Sequence, residues 1–228
     1  MCGRYVTPEV AEAERNLLVH WLEYERSFNV APSQRVPVVR LYGGEREGVL
    51  MRWGLVPYFA RGVPPRYSTI NATVEKLDSG ACWRTPWTRA QRCVLPALGF
   101  YEWQLQPDGR SKQPYFIHAT DQPLLALAGL WDCSRTAAGD EILSCAVITL
   151  PASPLMAGIH AAGREPAMLA RADIEHWLAG SLEEARAALR PYPDEHLLAY
   201  PVSARVNSPR NNEPALLEPL SATEALAG

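Results

Sequence analysis

The chain has 228 residues, 47% of them apolar, and a formal net charge of −3, enough for one sizeable hydrophobic core. No apolar run approaches the roughly 20 residues of a membrane helix, and the opening MCGRYVTPEVAEAER has no signal-peptide core, so a soluble, cytoplasmic protein with no membrane partner is expected. The net charge argues against a generally basic nucleic-acid binder. Five cysteines, odd in number and without a CxxC pair, argue against a disulfide framework or a structural zinc site.

In chain order, Thr7-Pro8 predicts a helix start, an N-cap followed by proline at the first helical position, with the helix reaching about His20. Strand-forming runs follow at 36–42, 47–53, 92–95, 98–104, 113–118, 124–131 and 142–149. Residues 172–179 and 182–190 have helical patterns, with Asp173 and Ser181 near their starts, and a last strand is expected at 197–203. Strands dominate the middle, helices flank it, and no βαβ alternation occurs. The expectation is one α+β domain on mostly antiparallel sheet, spanning residues 1–220, with a short, frayed tail at 221–228.

Charge is uneven. Residues 1–118 carry 15 Lys+Arg against 11 Asp+Glu, and residues 119–228 carry 7 against 14. Segment 52–92 is the most basic, and Trp53, Tyr58, Phe59, Tyr67, Trp83 and Trp87 are interleaved with its arginines. Arginine plus exposed rings is what a single-strand platform requires, although many of these rings must also serve the core.

Cys93, Cys133 and Cys145 sit in apolar runs, where buried, inert thiols are expected. Cys2 has no such setting. Removal of Met1 leaves a residue with an α-amine and a thiol on adjacent carbons, with reference pKa values of about 7.7–8.0 and 8.5. Such a pair condenses with an aldehyde to a Schiff base and then closes to a thiazolidine ring, and the tether supplies a high effective molarity. An incidental second-position cysteine remains the alternative at this point.

Three other polar positions stand out. Asn71, in STINATVE with Glu75, offers an amide at a fixed point or a turn cap. Glu102, in LGFYEWQ, shares a strand face with Phe100 and Gln104; facing inward it is a proton shuttle, facing outward a solvated carboxylate. His160, in MAGIHAAGREP, precedes Arg164 by four residues in a glycine-flanked loop suited to holding an imidazole and a guanidinium together, or lies at the surface.

These segments together resemble the SRAP (SOS response-associated peptidase) family. MCGR at 1–4, FNVAPS at 28–33, RWGLVP at 52–57, INATVE at 70–75, RCVLPALGFYEW at 92–103, QPYFI at 113–117, His160, and VSARVNSPRNNEP at 202–214 follow the family's order over nearly the whole chain. The resemblance implies a barrel-like core of twisted, mostly antiparallel sheet with flanking helices. It implies covalent shielding of abasic sites in single-stranded DNA, by a monomer that needs no metal or cofactor and associates with the nucleoid when bound to DNA. It assigns Cys2 as nucleophile and Asn71, Glu102 and His160 as the groups that orient and move protons. It places Arg4, Asn29, Pro32, Arg52, Trp53, Arg84, Trp103 and Arg164 along the DNA. The sequence departs from the family pattern at Thr73, where Arg is usual, and at Leu98, where Asp is usual. The compact H-x-R-M-P is stretched here to His160–Pro166. Two other activities fit the same residues: self-removal of Met1 by a thiol peptidase, and non-covalent single-strand binding.

Overall fold

The computed structural model describes residues 2–19, 24–160 and 162–221. Twelve strands and five helices succeed one another in these segments. They are β1 (Arg4–Val6), α1 (Val10–Leu17), β2 (Arg35–Tyr42), β3 (Glu45–Trp53), β4 (Asn71–Thr73), α2 (Arg84–Thr88), β5 (Arg92–Ala97) and β6 (Gly99–Leu105). After them come β7 (Lys112–Ala119), β8 (Leu125–Arg135), β9 (Glu141–Pro151), α3 (Pro154–Ile159), β10 (Arg164–Pro166), β11 (Met168–Leu169), α4 (Ile174–Ala179), α5 (Leu182–Ala188) and β12 (Leu197–Pro201). Every strand run expected from residue 36 onward is a strand, and the two late helices form. The short β1, β4, β10, β11, α2 and α3 add to them.

The long strands close a barrel. The order is β9-β3-β2-β5-β8, and β8 pairs back onto β9. The joint between β3 and β9 is parallel and covers only Arg52↔Ser144 and Trp53↔Cys145. Past it β9 is free to take β4 instead, at Asn71↔Val147 through Thr73↔Thr149. At the far end of β9, β10 replaces β8, and β11 joins β8. A second sheet, β1-β6-β7-β12, packs against the barrel.

Strand alternation sorts the core. One face of the barrel strands packs Leu17, Trp87, Val94, Ile148, Trp177 and their neighbours beneath the helices. The other face contributes Val38, Met51, Trp53, Cys93, Leu95, Cys145 and Val147 to an interior that also takes Cys2, Tyr5 and Phe100. Trp53 is fully buried there, edge-on to Tyr5 at 5.3 Å, and its Nε1 donates to Ile70 O at 3.0 Å. Trp53→Ala is expected to cost about 3–5 kcal/mol, read as a lower urea midpoint at unchanged slope; an unmoved midpoint would refute its part in filling the barrel.

Two expectations are corrected. Thr7 does not cap α1: its hydroxyl and amide are committed across the chain to Ser27, so the helix begins later, at Val10 behind Glu9. α1 ends at Leu17, where Leu18 turns left-handed, and the expected end at His20 lies outside the described residues, as do positions 222–228 of the tail. Cys133 is only partly buried, because it sits toward the open end of β8, whereas Cys2 is fully buried beside Cys93 and Cys145. Cys2 is carried inside because β1 starts two residues later and directs Tyr5 into the same interior. Among the described residues no helix is long and apolar enough to cross a membrane.

Candidate active site

Cys2 enters the barrel between two sheets. β1 pairs with β6 in the register Arg4↔Tyr101, Tyr5↔Phe100, Val6↔Gly99. One step further along that register sets Gly3 against Glu102. Side chains directly opposite in an antiparallel pair share a face, so Glu102 points the way of Tyr5 and Phe100, toward the barrel interior. The ambiguity of the sequence is thereby resolved: Glu102 faces inward, only 2% exposed. Gly99, opposite Val6, lets β6 begin close against β7, since a Cβ there would lie 2.5 Å from Ile117 O and closer still to the Phe116 ring.

Asn71 opens β4, and its Nδ2 donates 3.0 Å to Cys2 O. That bond fixes the residue 2 backbone from a segment 69 residues away. His160 caps the C-terminal end of α3. Its Nδ1 lies 2.9 Å from Arg164 O. The Arg164 amide also lies 3.3 Å from Nδ1, so the Arg164 backbone fixes the ring and turns Nε2 toward Glu102. Nε2 lies 3.9 Å from Glu102 Oε2, within electrostatic contact. Burial raises the Glu102 carboxyl above its ordinary range, against the lowering effect of the neighbouring imidazole. Burial also pushes the Cys2 thiol far above its usual range, and negative charge on Glu102 adds to that. The thiol is thus held neutral. In the encoded chain the Cys2 nitrogen is a peptide amide; removal of Met1 converts it to an amine at the same spot.

Cys2, Asn71, Glu102 and His160, drawn from four distant parts of the sequence, therefore converge. Gly3, Arg4, Trp103 and His160 form the partly exposed rim.

The eight positions expected along DNA are differently disposed. Arg4 Nη1 donates to Asn29 Oδ1 at 2.9 Å and to Val206 O at 2.7 Å, and Nη2 to Asn207 O at 3.2 Å. Asn29, buried, donates to Val206, Ser208 and Asn211 carbonyls. Trp103 Nε1 donates to Asn207 Oδ1 at 2.7 Å. These three bind the VSARVNSPRNNEP segment to the flank of the site. Arg164 grips Glu75 with two hydrogen bonds of 2.7 and 3.1 Å and also reaches Thr149 O. This engagement holds Glu75 below its ordinary range.

Pro32 is exposed, and Trp53 is sealed in the core. Arg52, on the opposite strand face from Trp53, ties Ser33 to Gly54 and borders a separate cavity of about 410 Å³ between β3 and β9. Arg84 is exposed on α2, whose buried Trp87 belongs to the core beneath the helices, apart from the Cys2 interior. Of the interleaved rings, Trp83 and Trp87 are core, while Tyr58, Phe59 and Tyr67 are 47%, 51% and 62% exposed, beside exposed Arg61, Arg66 and Arg89.

Tyr5, Asn207 and Thr149 escaped the sequence reading. Tyr5 was signalled only by its adjacency to MCGR, and Asn207 by the density of asparagine in its segment. Among the described residues no group of three or more His, Cys, Asp or Glu side chains converges as a metal site.

The chain matches the family described as SOS response associated peptidase (SRAP) over residues 1–209. It is 36% identical over 199 residues to the abasic site processing protein YoqW of Bacillus subtilis (strain 168), covering 86% of this chain and 87% of that one. It is 33% identical over 233 residues to the abasic site processing protein HMCES of Xenopus tropicalis, covering 89% of this chain and 68% of that one. A crystal structure of a protein from Bordetella bronchiseptica superposes with a TM-score of 0.77 at 28% identity, over 89% of this chain and all of that one. One from Bacteroides thetaiotaomicron gives 0.82 at 22% identity, over 96% and 100%, a likeness of fold.

Proposed function

The chain belongs to the SOS response-associated peptidase (SRAP) family, and from that premise we propose that it processes abasic sites in single-stranded DNA through a covalent bond to Cys2. One observation carries the reading: residue 2 is pinned by Asn71 in a buried niche with a carboxyl that favours its proton and an imidazole facing that carboxyl.

The chemistry balances within these groups. With Met1 removed, the Cys2 amine adds to the aldehyde of the ring-opened sugar. Glu102 gives a proton to the leaving hydroxyl, water departs, and a Schiff base remains. That Schiff base is still protonated; the thiol yields its proton to the Glu102 carboxylate as sulfur adds to the iminium carbon, and the nitrogen keeps its own proton, takes back the C=N electron pair and becomes the ring amine of a thiazolidine. His160, with Nε2 facing Glu102, is placed to relay protons to and from that carboxyl. The exposed Tyr58, Phe59 and Tyr67 with Arg61, Arg66 and Arg89 suit flat bases and backbone phosphates of a single strand.

The test mixes Met1-free protein with a single-stranded oligonucleotide bearing one abasic site. A slower band on a denaturing gel is expected, weaker when the site is placed in a duplex. Binding that never survives denaturation, and that falls steeply with salt, would replace this reading with a non-covalent one.

A further inference from the structure

Asn71 and His160 depend on two very short strands at opposite edges of β9. β4 begins with Asn71, which holds Cys2 O, and runs straight into the 3-10 turn Val74–Lys76 that carries Glu75. β10 begins with Arg164, whose carbonyl and amide lie 2.9 and 3.3 Å from His160 Nδ1. Thr149 of β9 is level with Thr73 of β4 on one side and with Pro166 of β10 on the other. Each of the two outer strands has three residues, the lower limit of strand length. Their ladders alone give them little hold on the groups they present.

One side chain spans the distance between them. Arg164 Nη1 and Nη2 donate to Glu75 Oε1 and Oε2 at 2.7 and 3.1 Å, a two-point fork. Nη2 also donates to Thr149 O at 2.5 Å and to Thr149 Oγ1 at 3.3 Å, between the two strands. Exposed ion pairs contribute little, but here the arginine side chain is only 17% exposed, and a fork fixes direction as well as distance. Arg164 Nε is shut off from solvent with no acceptor, and every acceptor the guanidinium has is a protein atom. The side chain is thus committed inward rather than held out for a ligand, and the Glu75 carboxylate offsets the charge that a backbone phosphate would feel.

We propose that Arg164 and Glu75 are positioning residues: their fork ties the end of β4 to the start of β10, so that Asn71 and His160 are held in one arrangement, and Arg164 does not serve as a phosphate contact. The consequence for crosslinking rests on the function proposed above; the mechanical link itself does not.

The test uses the full, Met1-free chain and the variants Glu75→Ala, Arg164→Lys and Arg164→Gln. Lysine keeps the charge but cannot form the fork, and Glu75, 52% exposed, can be truncated without opening the core. NMR of the His160 ring is expected to show one sharp set of signals in the unaltered protein, shifted and broadened in Glu75→Ala and in Arg164→Lys. With saturating abasic oligonucleotide, crosslinking is expected to slow about 10- to 100-fold in all three variants, the scale of a reacting group misplaced from a distance. Affinity for the same single strand without the abasic site, measured against salt, is expected to keep its slope in Arg164→Gln. A slope smaller by about 0.7, one lost phosphate contact on a single strand, would overturn the proposal. So would a normal crosslinking rate in Arg164→Lys, or a His160 ring unmoved in both Glu75→Ala and Arg164→Lys. If the unaltered protein never crosslinks while the ring signals still move in these variants, the functional reading fails and the mechanical link stands.

Discussion

Met1-free Cys2→Ala protein is expected to leave no adduct on a denaturing gel with the abasic oligonucleotide, a loss of at least about 10³-fold that reflects the missing intramolecular ring closure. Alanine at position 2 still offers an α-amine, held by Asn71 through the residue 2 carbonyl. The Schiff base can therefore form but not cyclise. Adding borohydride during the reaction should trap it and restore a shifted band. That pair of results separates the two bonds of the proposed product: the amine is needed for capture and the thiol for durability. An unreduced adduct of normal yield would eliminate the thiazolidine. Substitution in so buried a niche removes packing worth about 1 kcal/mol, so the variant should remain folded, as circular dichroism can verify.

The second large effect is at Glu102. Glu102→Gln is expected to slow adduct formation by about 10²–10⁴, the range of a lost acid–base group, and to leave Met1 attached by mass if the protein removes it unaided. The pH dependence gives a finer test. Burial raises the Glu102 carboxyl, so its acid form persists above the ordinary glutamate range and disappears as pH rises through the folded-state value. The rate for the unaltered protein should fall over that interval, and the residual rate of Glu102→Gln should not. Stability should fall over the same interval. The folded protein loses stability on ionising this carboxyl, so Glu102→Gln should melt higher than the unaltered protein at alkaline pH while being the poorer catalyst, the trade expected of a strained functional group. Equal melting temperatures throughout would mean that the niche does not penalise the charge.

How much of this was legible in the sequence depends on the range of the interactions. β2, β3 and β5 to β9 are long enough for runs of β-branched and aromatic residues to declare themselves. β4, with three residues, carries no period, and it is a strand only because the two-pair joint between β3 and β9 leaves an edge of β9 open. Asn71 could be named from its motif, but its bond to Cys2 O depends on that edge. The direction of Glu102 was undecidable locally, because Phe100 on its face is core and Gln104 is not fully buried; pairing with β1 decides it. The burial of Cys2 was illegible for the same reason: two residues before a three-residue strand give no burial pattern. The DNA-facing expectations for Arg4 and Asn29 came from sequence alone, whereas their hydrogen bonds run to a segment about 180–200 residues later.

The meeting of three remote segments around residue 2, with Asn71 bonded to it, constrains how the protein can be handled as well as how it reacts. A tag, fusion partner or leftover linker residue ahead of Cys2 would turn its amine back into an amide and crowd the niche that Asn71 and Glu102 form around it. Such a product would fold, purify and even touch DNA while being chemically silent, so preparations meant for activity should carry their handles at the other end, with an unblocked first residue confirmed by mass before any negative result is believed.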